Sequence, residues 1–182
     1  MLKVGITGHT SGLGKYLFDQ IGSIGWSKSS GYDLTQIEAL NKMLKEAEDC
    51  DVFINNAHDG EELSLNVFEK FYSLYKHKPI QLINIASFNQ ARVTFNPKET
   101  ETDAHRYYQR YKQFWDSILL EESKCSVAFV ELGPTGSQRT IDKRLPHYTS
   151  LEDTGKVIIN IIEHLKVSHR VRTQFICKGY YV

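Results

Sequence analysis

No stretch of this 182-residue chain approaches the roughly 18 consecutive apolar residues that a membrane-spanning helix needs, so no membrane partner is expected. Net charge is also lacking, since 22 Lys and Arg balance 22 Asp and Glu. Without a bulk positive field there is little electrostatic drive to collect nucleic acid, which is likewise not expected as a partner. Cysteine is scarce: Cys50, Cys125 and Cys177 lie far apart and show no CxxC spacing. That argues against a disulfide framework and a thiolate zinc site, and predicts reduced core thiols in a cytoplasmic protein. The seven His lack the i, i+4 pairing that holds a metal on a helix, so no metal site is expected. The opening run Met1 to Thr7 lacks the basic start and long apolar stretch of a secretion signal. Proline is rare at 4 residues, while 41% of the chain is hydrophobic. This is the composition and size of one ordered domain, taken as residues 1–182.

What is present is an alternation of apolar runs with segments of helical period, the pattern of strands and helices around a parallel sheet. Strands are predicted at Leu2–Thr7, Ile24–Trp26, Asp51–Asn55, Ile80–Ala86, Val127–Leu132 and Arg172–Cys177, with a stub ending at Asp33 as a vestigial third strand. Helices are predicted at Leu13–Ile21, Thr35–Glu48 with Thr35 as cap, Ser64–Lys76, Thr102 or Asp103 to Glu122, and Leu151–Lys166. The stretch Ser87–Thr102 has no clear period, and a loop of that length in a compact domain is more often functional than idle.

Between the first strand and first helix lies Thr7-Gly8-His9-Thr10-Ser11-Gly12-Leu13-Gly14. Glycines at such a turn let the backbone approach a pyrophosphate and leave the helix N-terminal amides to bond it. The spacing G-x-x-x-G-x-G resembles the TGxxxGxG motif of the short-chain dehydrogenase/reductase family. Asn55-Asn56-Ala57 resembles the family's NNAG turn with His58 in place of glycine, and Ile85-Ala86-Ser87 resembles its serine-ended strand. Gly133-Pro134-Thr135 is similar to its Pro-Gly turn, with the order inverted.

The family also carries a Tyr-x-x-x-Lys pair. A lysine one helical turn from a tyrosine favours the phenolate, bringing the phenol toward a pKa useful for proton transfer at neutral pH. The spacing alone says little, because this composition gives about one chance match. Tyr72 with Lys76 precedes the serine-ended strand, whereas Tyr108 with Lys112 follows it as in the family, so order selects Tyr108 and Lys112.

The resemblance implies a Rossmann-like three-layer α/β/α sandwich with a parallel sheet in the order 3-2-1-4-5-6-7. It implies a catalytic set of Ser87 orienting the carbonyl, Tyr108 as proton donor, Lys112 lowering the tyrosine pKa and binding the nicotinamide ribose, and Asn66 completing a proton relay. Cofactor contacts are expected from Gly8, Thr10, Ser11, Gly12, Leu13, Gly14, Ser27, Lys28, Asp33, Leu34, Asn56, Ala57, Lys112 and Thr135. Where NAD enzymes usually carry an acidic residue after the second strand, this chain has Ser27-Lys28-Ser29, which suits a 2′-phosphate and predicts NADP over NAD. The expected activity is an NADP-dependent interconversion of a small-molecule carbonyl and its alcohol, in a homodimer or homotetramer. Two other readings stay open: a non-catalytic NADP-binding sensor or regulator, and a nucleotide-sugar epimerase or reductase.

Overall fold

The computed structural model describes residues 2–57, 61–87, 103–132, 149–165 and 170–175, with residues 61, 87, 103–108 and 172–175 described by backbone alone. In chain order the elements are β1 Val4–Thr7, α1 Gly12–Ile21, β2 Ile24–Trp26, α2 Ile37–Glu46, β3 Val52–Asn55, α3 Glu61–Tyr75, β4 Gln81–Ser87, α4 Asp103–Leu119, β5 Ser126–Leu132, α5 Leu151–His164 and β6 Arg170–Phe175. Short 3-10 turns at Lys28–Ser30 and Ala47–Asp49 flank α2.

The six strands form one sheet in the order β2-β1-β3-β4-β5-β6, with every neighbouring pair parallel. This is the expected order with its third strand removed. Lys28–Ser30 is a 3-10 turn ended by Gly31 at φ 90°, and residues 31–36 continue as turns and bends. Nothing there extends alongside β2. Thr35 does not cap α2 as expected: its amide and hydroxyl both donate to Asp33 Oδ1, at 3.2 and 2.6 Å, and the helix starts later, at Ile37. The carboxylate outcompetes the helix for the threonine. Helix α3 begins three residues before Ser64, while α4 stops at Leu119 instead of Glu122.

Strand alternation divides the interior into two layers of different chemistry. On β3, Phe53 faces one side while Val52 and Ile54 face the other; on β5, Val127 and Phe129 oppose Ala128 and Val130. The layer under α2, α3 and α4 is aromatic, with Phe53 stacked on Phe71 at 4.0 Å and Tyr111 edge-on to Phe129 at 3.8 Å. The layer under α1 and α5 is aliphatic, built from Ile6, Leu17, Ile54, Ile83, Ile158 and Ile162 among others. Cys50 and Cys125 are buried free thiols, as expected, and burial pushes them up to about 11 and about 12. Cys177 lies outside the described residues. Among the described residues, no helix is long and apolar enough to cross a membrane, and no group of His, Cys, Asp and Glu is placed to hold a metal.

Candidate functional site

The order reversal of the sheet, β1 to β2 on one side and β1 to β3 on the other, opens a crevice beyond the carboxyl ends of these strands. A cleft of about 510 Å³ lies there. Gly8, Thr10, Ser11, Ser27, Lys28, Asp33, Leu34, Asn56 and Ala57, all expected at a cofactor, line it.

Its floor is the glycine turn. Gly8 and Gly12 take φ of 71° and 51°, a region costly for residues with a side chain. Gly14 sits so close beneath Gly8 that an added Cβ would lie 2.2 Å from the Gly8 carbonyl oxygen and 2.4 Å from the Asn56 amide nitrogen. The turn is held from the neighbouring strands: the Gly8 amide donates to the Trp26 carbonyl at 2.7 Å, and Thr7 Oγ1 accepts from the amides of Asn56 and Ala57, both at 2.9 Å. Thr7 thus ties the β1 turn to the β3 turn. Ser11 begins α1 without a side-chain cap, and the first turn of α1 contains no acidic residue. The positive end of the helix is therefore left for an anion outside the chain. Leu13 plays a different part, its side chain buried in the aliphatic layer while its backbone belongs to the first turn of α1.

The second wall follows β2. Ser27 is buried and its hydroxyl accepts from the Ser30 amide in a reciprocal capping box, so this hydroxyl serves the turn. The Ser29 hydroxyl donates to Thr10 Oγ1 at 3.0 Å, joining this wall to the glycine turn. Lys28 Nζ lies 3.1 Å from Asp33 Oδ2. The Thr35 hydroxyl and the Lys28 ammonium hold the Asp33 carboxyl below the usual carboxylate range. Two lining residues, Tyr32 and Leu63, were absent from the sequence reading. Tyr32 donates to both oxygens of Glu46, at 2.9 and 2.8 Å, and Trp26 Nε1 donates to the same carboxylate at 2.8 Å. Burial pushes the Glu46 carboxyl up, but the hydrogen bonds from Trp26 and Tyr32 outweigh it and hold the group below its ordinary value.

Of the expected catalytic residues, Ser87 ends β4 in register with Leu132 of β5, and Tyr108 lies in the first third of α4; their side chains lie outside the described residues. Lys112 is exposed, and its ammonium is 2.5 Å from Asp116 Oδ2, one turn toward the C-terminal end of α4 and so on the far side from Tyr108. Asn66 is not brought to Lys112 by any hydrogen bond described: its Oδ1 accepts from Arg110 at 3.1 Å, and Arg110 also bonds Glu69 at 2.7 Å, bridging α3 to α4. Thr135, His58 and the stretch 88–102 lie outside the described residues.

Beneath these elements runs a chain of buried polar side chains that the sequence reading missed. Thr7 donates to Asn55 Oδ1 at 3.3 Å, Asn55 donates to Asn84 Oδ1 at 2.6 Å, and Asn84 donates to the Tyr111 hydroxyl at 2.9 Å. Asn55 donates also to the Ser64 carbonyl at 2.8 Å. The chain crosses β1, β3 and β4 and fixes α4 against the sheet. The one signal for it in the sequence is a lone asparagine inside the apolar run IQLINIA.

No protein-family model matches the sequence, and no curated protein matches it either. Solved structures do match in shape. A short-chain dehydrogenase from Burkholderia cenocepacia in complex with NADP superposes with a TM-score of 0.70 at 18% identity, covering 94% of this chain and 87% of that one. A short-chain dehydrogenase/reductase from Vibrio parahaemolyticus gives 0.65 at 16%, over 94% and 98% of the two chains. The 3-alpha-hydroxysteroid dehydrogenase from a Pseudomonas species, complexed with NADH, gives 0.64 at 11%, over 94% and 96%. From its strand order, its crevice and these likenesses, the chain has the fold of the short-chain dehydrogenase/reductase proteins.

Proposed function

We propose that this protein is an NADP(H)-dependent oxidoreductase that interconverts a small carbonyl compound and its alcohol. The observation that carries the reading is the glycine turn: Gly8 and Gly12 at positive φ, Gly14 packed beneath Gly8 with no room for a Cβ, and an uncapped helix N-terminus at Ser11, with Gly8, Thr10 and Ser11 lining the cleft. Such a cradle suits a pyrophosphate, and Lys28 on the adjoining wall suits a 2′-phosphate. When bound, the nicotinamide supplies the hydride.

The chain's own residues then supply position and a proton. Ser87, at the end of β4, orients the carbonyl oxygen. Tyr108 gives its proton to that oxygen as the C=O π bond opens, and Lys112 favours the resulting phenolate. For Lys112 to act so, its ammonium must leave Asp116; exposure of both partners makes that exchange cheap. Asn66 enters the relay only by exchanging Arg110 for water. Thr135 contacts the carboxamide in this reading. The protein works as a homodimer or homotetramer, a reading supported by Leu74, Leu119 and Leu120, which stand exposed at the C-terminal ends of α3 and α4.

The Lys112–Asp116 pair favours one other reading, a nucleotide-binding regulator without turnover. Titration with NADPH and NADH, followed by a carbonyl panel on whichever binds, separates the two. Tight NADPH binding with oxidation of the nucleotide supports the enzyme, tight binding without turnover supports the regulator, and no binding of either nucleotide overturns both.

A further inference from the structure

Glu131 is 1% exposed, and among the buried described residues it is the only acidic one. Taking a carboxyl group out of water is costly, so its place in the fold calls for a function. It is the last but one residue of β5, and strand alternation puts it on the aromatic face of the sheet with Val127 and Phe129. In register it pairs with Ala86, the residue before Ser87, and with Gln174 of β6. Phe129, two residues back, meets the rings of Tyr111 and Trp115 on α4. Helix α4 joins two parallel strands and so runs against them. A two-residue step toward the end of β5, about 6.6 Å, therefore matches about one turn back along the helix. One turn before Tyr111 stands position 108, which continues the buried stripe of Tyr111, Trp115 and Ile118. The register thus brings Ser87, Tyr108 and Glu131 to the same end of three neighbouring elements.

We propose that Glu131 is the proton-relay residue of Tyr108, returning a proton to the phenol after each transfer. The proposal rests on the oxidoreductase reading above. The other residues assigned to that proton are held elsewhere, Lys112 by Asp116 and Asn66 by Arg110. As the carbonyl is reduced, its oxygen takes the Tyr108 proton and leaves a phenolate. The Glu131 carboxyl O–H then breaks as the tyrosine O–H re-forms, and the carboxylate takes its next proton from water. One NADPH and one proton are consumed for each alcohol formed.

The first test uses the full chain without nucleotide and reads tyrosinate absorbance as the pH is raised. The row neighbours of Glu131, Ala86 and Gln174, carry no charge, and Lys112 with its partner Asp116 is the same in every protein compared. Glu131→Gln removes a negative charge beside one phenol, so one tyrosine should ionise at a pH lower by about half a unit or more. That difference should vanish in a Tyr108→Phe background. The second test follows NADPH oxidation by stopped flow with the fastest-reduced carbonyl of the panel. In Glu131→Gln the ratio of the first-turnover rate to the steady-state rate should rise at least about tenfold, because only the first phenol starts with its proton. Glu131→Asp still carries a proton and should keep that ratio within about threefold of the unaltered protein. Glu131→Met, apolar and similar in length, replaces Glu131→Gln in both tests if that variant does not fold. An unchanged titration, a shift that persists without Tyr108, or an equal change of the ratio in Glu131→Asp and Glu131→Gln overturns the proposal alone. A protein that shows the tyrosine shift yet reduces no carbonyl overturns the oxidoreductase reading, and the relay with it.

Discussion

Tyr111 and Tyr108 sit three residues apart on one helix and have opposite duties. Tyr111 is 3% exposed, edge-on to Phe129, and accepts the Asn84 amide, so it belongs to the packing of the sheet. Replacing it with Phe keeps the ring and removes the acceptor of a buried donor. The expected cost is about 1–3 kcal/mol in urea unfolding, with the native fold retained. Tyr108 carries the proposed chemistry. Tyr108→Phe should bind NADPH as before and lose turnover by at least about 100-fold; a variant with full turnover ends the assignment. The glycine turn and the Asn55-Asn56-Ala57 turn were readable from sequence because each depends on residues within a few positions. Asn84 was not readable as part of a network, because its partners Asn55 and Tyr111 lie 29 and 27 residues away. The place of Tyr32 is hidden from the sequence for the same reason, its hydroxyl being fixed by Glu46 fourteen positions on.

At the scale of elements, the β1–α1 corner is the most exacting. In Gly14→Ala the new methyl would lie at 2.2 Å from a backbone oxygen, which no side-chain rotation relieves. The turn must open. NADPH affinity should fall at least about tenfold, with a stability loss of about 1–3 kcal/mol by thermal unfolding. The β2–α2 junction depends on charge instead, through Glu46 held by Trp26 and Tyr32. Because its carboxyl is held below the ordinary value, its contribution to stability is complete above the unfolded-state pKa and is lost as pH falls through the folded-state value. The melting-temperature gap between the unaltered protein and Glu46→Gln should therefore be widest near neutrality and narrow only as the pH falls below the ordinary glutamate range. A gap that grows on acidification contradicts this account. The same junction explains the missing strand: once Asp33 takes Thr35 and Gly31 turns left-handed, the chain passes from the 3-10 turn through the turns and bends of residues 31–36 into α2 without an extended segment.

At the scale of the whole molecule, the sheet separates an aromatic layer from an aliphatic one, and the aromatic layer carries the larger side chains. Truncation of Phe129, which contacts the rings of Phe68, Tyr111 and Trp115, should cost about 3–5 kcal/mol. Assembly is the other property at this scale. Sedimentation should show a dimer or tetramer, and replacing Leu74 and Leu120, 57% and 91% exposed, by Glu should shift it toward monomer with the fold intact. A unaltered protein that sediments as monomer at all concentrations removes the interface from the proposal.

The sequence by itself determined the alternation of strands and helices, the parallel sheet and the place of the cleft. Those follow from hydrophobic period, from glycines in one turn, and from the rule that a parallel sheet binds ligands where its strand order reverses. Tertiary structure alone decided which polar groups meet: that Ser27 caps a turn, that Lys28 is held by Asp33, that Lys112 faces Asp116, and that Asn84 reaches Tyr111. The physical reason is that burial and backbone period are encoded locally. A hydrogen bond or ion pair is settled by which partner the folded chain brings within about 3 Å, and several partners of equal chemistry compete for each donor.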